Sequence, residues 1–215
     1  MCGRFILLTD LSRIVESFNI EEVTCRYVPS HSIFPGQQII AVIKENVNCL
    51  VDFKWGLIPS WTRDATVGNR LINCRAETVA EKPSFRTAFK KSRCLILADG
   101  FYEWISEGKR KVPMLFSLKS GEPFGFAGLY EQWHSPEGQV IRSCTIITTA
   151  SNELIAPIHD RMPVILPKAV ESEWIDPGPG NLKRLLSLLK PYSADEMVMK
   201  AVDPKELDVF QQPAD

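Results

Sequence analysis

The chain has 215 residues, 45% of them hydrophobic, and a formal net charge of −1, which is enough apolar material for one core of ordinary size without disulfide or metal staples. The near-neutral balance excludes a global basic field that would draw the protein onto duplex nucleic acid, so any such contact has to come from a local patch. No stretch approaches the roughly 18 apolar residues of a membrane span, and MCGRFILLTDLSR breaks its apolar run with Asp10 and Arg13, unlike a secretory signal.

A cytoplasmic protein is therefore expected, or a nuclear one in a nucleated cell. Cys2, Cys25, Cys49, Cys74, Cys94 and Cys144 form no C-x-x-C pairs. Reduced thiols acting mostly as small buried hydrophobes are expected, with no metal and no cofactor.

In chain order, Leu11, Ile14, Val15 and Phe18 follow helical spacing behind Thr9 and Asp10 and predict a short amphipathic helix. Strand-like runs follow at 38–43, 49–55, 94–100, 112–118, 124–130 and 140–149, several separated by turn signals such as KSGEP and HSPEG. Their spacing suits hairpins and meanders more than a βαβ repeat. Between them, PSFRTAFKK offers Pro83 at a helix start with Phe85, Ala88 and Phe89 on one face. PKAVESEWI and NLKRLLSLLK predict two late helices, the second with Leu182, Leu185, Leu186 and Leu189 as its buried stripe. The expected fold is α+β: one domain over 1–202, with a mainly antiparallel, barrel-like sheet and flanking short helices, then a polar tail over 203–215.

Four segments carry candidate chemistry. With Met1 removed, as expected before a small residue, Cys2 presents an α-amine beside a thiol. That amine has a pKa of about 7.7–8.0 against about 10.4 for lysine, so near neutrality it is unprotonated roughly several hundred times more often. It can form an imine with an aldehyde, and the thiol can close onto the imine carbon to give a five-membered thiazolidine. Gly3 lets backbone approach a ligand, and Arg4 is a phosphate or carboxylate binder. In INCRAETV, Asn73 and Arg75 alternate on one face of an extended stretch, where they can orient a sugar and its phosphate.

In ADGFYEW, Glu103 follows an Asp-Gly turn among Phe101, Tyr102 and Trp104, a setting suited to general acid and base work. In APIHDRMPVIL, His159 can shuttle protons and Arg161 can hold phosphate. Each of these has a plain structural alternative: a buried strand cysteine, a surface polar pair, a salt-bridged glutamate, a packed histidine. His31 and His134 carry no partner motif.

Together, MCGRF, the N-x-R of INCRAET, DGFYEW and H-D-R-M-P, supported by WGLIPSW with Trp55 and Trp61 and by RAETV before KPSFRTAF, resemble the SRAP family, the SOS-response-associated peptidase-like abasic-site processing proteins. The match spans nearly the whole chain; Cys74 departs from it, standing where a small alanine-like residue is expected. The resemblance implies recognition of abasic sites in single-stranded DNA and a covalent thiazolidine DNA-protein crosslink through mature Cys2, in the DNA damage response. Cys2, Asn73, Glu103 and His159 would be catalytic and Arg4, Arg75 and Arg161 DNA-binding, in a monomer that holds no metal. Peptidase activity is expected only as self-processing, and crosslink reversal is a further expectation. The alternatives are an amino-terminal-cysteine amidohydrolase, since such enzymes also begin Met-Cys-Gly, and a noncovalent binder of damaged or modified DNA.

Overall fold

The computed structural model describes residues 2–108, 110–178 and 181–203. The expected tail therefore lies, beyond Asp203, outside the described residues. No helix among them is long and apolar enough to cross a membrane.

The chain runs through β1 (Phe5–Leu7), α1 (Leu11–Ser17), β2 (Glu22–Val23), β3 (Ser30–Ile33), β4 (Gln38–Lys44) and β5 (Asn48–Trp55). Two 3-10 turns flank β6 (Asn73–Arg75), and α2 (Arg86–Lys91) and β7 (Arg93–Ala98) follow. The long strands β8 (Gly100–Glu107), β9 (Arg110–Leu118), β10 (Phe124–His134) and β11 (Val140–Ala150) lead to β12 (Arg161–Pro163). Last come α3 (Lys168–Ile175), α4 (Leu182–Leu188) and β13 (Met197–Ala201).

Five strands close on themselves in the order β11, β10, β7, β4, β5, with β5 returning to β11 in parallel through Lys54↔Ser143 and Trp55↔Cys144. A second sheet, in the order β13, β9, β8, β1, β3, packs against this barrel. Phe5 joins the two, its ring 5.2 Å from Trp55 and 5.8 Å from Phe126. The α+β, barrel-like architecture is as the sequence predicts. β7 is buried along its whole length: it lies between β10 and β4 in the barrel wall, and α3 and β1 also pack against it, so its two faces are covered and its apolar run does not alternate.

Several local expectations change. Asp10 caps α1 by accepting from the Arg13 N–H, 3.0 Å away. The second helix begins at Arg86, so Pro83 lies ahead of it. In α4 Leu185 and Leu189 are buried but Leu186 is exposed, because only one narrow face meets the core. DGFYEW is a strand from Gly100 onward, since Phe101 pairs with Phe5 on one side and Phe116 on the other.

The helices are tied down by Arg93, 3% exposed, which donates to the carbonyls of Phe89 and Lys90 at the end of α2 and of Trp174, Asp176 and Gly178 at the end of α3. Those carbonyls have no intrahelical donor, and one guanidinium satisfies them together.

At the start of α3, Glu171 is 7% exposed and paired with Lys168 at 3.2 Å, and burial pushes its carboxyl up from 4.5 to about 7. The raised value means the fold favours the neutral acid. That stability is fully present below about pH 4.5 and is lost as pH rises through about 7. Glu171→Gln keeps the shape without a charge to desolvate. In urea titrations it should match the parent near pH 4.5 and exceed it by about 1–3 kcal/mol above pH 7. Equal stability at both ends would show that Lys168 fully offsets the burial.

Candidate active site

The site is assembled where the barrel meets the second sheet. β1 pairs with β8 through Phe5↔Phe101 and Ile6↔Gly100, and the Tyr102 N–H donates to the Arg4 carbonyl at 2.9 Å. This antiparallel pairing brings the residues ahead of Phe5 alongside Tyr102 to Trp104.

Cys2 is completely buried. Its thiol pKa is pushed up, first by that burial and then by the negative charge of Glu103, which places the two groups within electrostatic reach. Glu103, 5% exposed, shares the inward face of β8 with Phe101. Strand alternation sends Tyr102 and Trp104 to the other face, where Tyr102 packs with Ile6. Of the three aromatics expected around Glu103, only Phe101 therefore shares its face, because its immediate chain neighbours Tyr102 and Trp104 point away from it.

The third group arrives through a loop and a short strand. Gly56 (φ +132°) and Gly68 approach so closely that a Cβ on Gly56 would lie 2.6 Å from the Gly68 carbonyl oxygen. Only glycine tolerates both that conformation and that contact. The loop is thereby folded back to deliver β6, which lies parallel to β11 through Ile146↔Asn73 and Thr148↔Arg75. Asn73 Nδ2 donates to the Cys2 carbonyl at 2.8 Å across 71 residues of sequence. Among the described residues its Oδ1 is buried without a hydrogen-bond partner. An acceptor thus lies next to the Cys2 backbone.

β12 pairs with the opposite edge of β11, Thr148↔Pro163 and Ala150↔Arg161. Just ahead of it, His159 Nδ1 accepts from the Arg161 N–H at 2.9 Å, and Asp160 Oδ1 lies 2.9 Å from the same nitrogen. In the neutral ring the bond from Arg161 puts the proton on Nε2; with Nδ1 protonated, Asp160 becomes its partner.

The three arginines differ in state. Arg75 is exposed. Arg4 is partly buried, its guanidinium 5.9 Å from the Trp104 ring centre. Arg161 is 9% exposed and bound to Glu77 by a bidentate pair of 2.6 and 2.9 Å, with a further bond of 2.6 Å to the Thr148 carbonyl. A phosphate reaching Arg161 would have to displace that carboxylate. The fold thus ties Cys2 to Asn73 by a hydrogen bond, sets Glu103 within electrostatic reach of Cys2, and holds His159 and Arg161 on the far edge of β11.

Glu77 and Thr148 were not singled out in the sequence. The only signal for Glu77 was a carboxylate two residues beyond Arg75 within RAETV, and its partner is 84 residues away.

The family model for SOS response associated peptidase (SRAP) matches residues 1–207. This chain belongs to the SRAP family. Among SRAP relatives, the abasic site processing protein YoqW of Bacillus subtilis is 49% identical over 201 residues, covering 92% of this chain and 90% of its own length. The abasic site processing protein HMCES of Rattus norvegicus is 32% identical, over 70% of this chain and 51% of its own. A crystallised protein of Bacteroides thetaiotaomicron superposes with a TM-score of 0.86 at 26% identity, covering 96% of this chain and 94% of that one. Another, from Bordetella bronchiseptica, gives 0.83 at 27% identity, over 94% and 100%. This SRAP chain therefore shares its architecture over nearly its full length with crystallised proteins.

Proposed function

We propose that this protein processes abasic sites, capturing the ring-opened sugar aldehyde in single-stranded DNA as a thiazolidine on mature Cys2. The observation that carries the reading is Cys2 buried within electrostatic reach of Glu103, with its carbonyl held by Asn73. Relatives named for abasic-site processing support the substrate class.

With Met1 removed, the Cys2 α-amine adds to the aldehyde carbon to give a carbinolamine. Loss of water leaves an imine, and the thiol sulfur then bonds to the imine carbon while its proton ends on nitrogen. One aldehyde and one aminothiol give one thiazolidine and one water. Because the thiol is held protonated, it needs a base at the moment of attack. The carboxylate of Glu103, whose charge helps suppress the thiolate beforehand, accepts that proton and returns it to nitrogen as the ring closes.

Asn73 orients the Cys2 backbone, and His159 assists opening of the sugar ring. Arg75 and Arg4 are assigned to the DNA backbone, with stacking on exposed aromatics supplying further affinity for a single strand. Arg161 contributes by holding the wall of the site. Peptidase chemistry is confined to the chain's own start, and the crosslink is slowly reversible.

The test is to mix Met-processed protein, verified by intact mass, with single-stranded DNA carrying one abasic site, without borohydride. A heat-stable species with the mass of protein plus DNA minus one water is expected. Its absence would overturn the reading, and hydrolysis of free glutamine by the same protein would replace it with the amidohydrolase alternative.

A further inference from the structure

Two strands carry the site's opposite walls, and each is only three residues long: β6, with Asn73 and Arg75, and β12, which begins at Arg161 just after His159. They lie on opposite edges of β11 and share one point of register, since Thr148 pairs with Arg75 on one side and Pro163 on the other. Three-residue strands have little pairing of their own to hold them.

One ion pair spans the gap. Glu77, in the 3-10 turn directly after β6, meets both Nη atoms of Arg161, whose Nη2 also donates to the Thr148 carbonyl. The Thr148 hydroxyl in turn donates to the Cys74 carbonyl at 3.2 Å, between Asn73 and Arg75. From Arg161 the connection continues through its own N–H to His159 Nδ1. Arg161, with Arg75 adding a smaller effect, holds the Glu77 carboxyl below the usual carboxylate range, so the pair stays charged at neutral pH.

We infer that Glu77 is a positioning residue. It touches no reacting atom, but it clamps Arg161 so that the His159 wall and the Cys2–Asn73 wall keep a fixed separation and the His159 ring keeps its tautomer. The inference rests on the crosslinking reading above for its kinetic consequence. Its chemical basis is that a bidentate carboxylate-guanidinium pair fixes both distance and plane, which a single hydrogen bond does not. Removing the carboxylate leaves a largely buried guanidinium without its counter-ion and lets the short β12 shift; a displacement of about 1 Å at a reacting centre can cost about 100-fold in rate.

The test uses the full Met-processed chain and the Glu77→Gln and Glu77→Asp variants. At saturating abasic single-stranded DNA, Glu77→Gln should form adduct about 10- to 100-fold more slowly. Its noncovalent affinity for intact single strands should be unchanged or tighter, because an acidic group beside Arg75 has been neutralised. Glu77→Asp, shorter but still charged, should recover part of the rate. In the DNA-free protein, ring-nitrogen NMR should show His159 with a single Nε2–H tautomer in the parent and a mixture in Glu77→Gln. An unchanged rate and ring spectrum in Glu77→Gln would overturn the inference. So would a parallel loss of rate, DNA affinity and melting temperature, which marks a merely structural residue. The ring spectrum needs no DNA, so a parent that forms no adduct would sink the crosslinking reading while the spectrum still decides this one.

Discussion

Cys2→Ala is expected to eliminate the heat-stable adduct with abasic single-stranded DNA while leaving noncovalent binding within a few-fold of the parent. The variant still loses Met1 and still presents an α-amine, so it can form the imine. It cannot close the ring. Imine formation is reversible in water, whereas an internal thiol acts at an effective concentration of about 10⁵ M or more, and that closure is what makes the adduct persistent. Borohydride should therefore trap a species with Cys2→Ala that heat destroys in its absence. Losing one sulfur from a buried position costs about 1 kcal/mol, too little to unfold the domain. A heat-stable adduct from Cys2→Ala without reductant would show that another nucleophile does the capture. Parent protein that keeps Met1 should form no heat-stable adduct, since the Cys2 nitrogen is then acylated and the free α-amine, now on Met1, has no thiol on its own residue to close a thiazolidine.

The second large effect is expected from Glu103→Gln. Two consequences of the substitution oppose each other. Removing the Glu103 charge lowers the thiol pKa, which favours the thiolate, but burial is the larger cause of the upward shift and remains in place. The thiol therefore stays protonated, now without a nearby group to take its proton, and the loss of acid-base assistance dominates at about 10²- to 10⁴-fold. Adduct formation by Glu103→Gln should slow by that order at unchanged DNA affinity. Release of preformed adduct should slow with it, because the acid that helps close a ring also helps open it. Formation and release both at parental rates would remove Glu103 from the mechanism. Slow formation with parental release would restrict it to the forward steps.

The long barrel strands were legible in the sequence because their apolar runs carry their own evidence: QIIAVI, CLVDFKW and VIRSCTIITT all lie within β4, β5 and β11. The short strands were not. β1, β3 and β13 are held by pairing with distant partners, as Met197–Ala201 is by Leu118–Met114, and three to five residues show no period to read. Leu186 fitted the helical stripe of α4 and is nonetheless exposed, since spacing gives the face of a helix but not how much of that face the core covers.

The candidate site was legible at the level of residue types, with Cys2, Asn73, Glu103 and His159 each suggested by its chemistry and by the family resemblance. What surrounds each group was not legible. The alternation of β8 separates Glu103 from Tyr102 and Trp104, and Arg161 is turned toward Glu77 by an ion pair closing 84 residues of chain. Such a pair leaves no trace in local spacing.

Complete burial of Cys2 also has a consequence for the protein's biosynthesis. On the crosslinking reading, Met1 has to be cut away, yet in the folded chain the next residue is enclosed and its carbonyl is tied to Asn73. An aminopeptidase needs an extended, accessible end. The opening lasts from the emergence of Cys2 at the ribosome until the strand bearing Glu103 follows it. That is roughly a hundred residues, or about 5–20 s at about 5–20 residues per second. The share of molecules able to crosslink is then set largely during translation, by a race between trimming and folding, and overexpression that outruns the cell's aminopeptidase should yield well-folded protein that keeps Met1 until its own self-processing removes it.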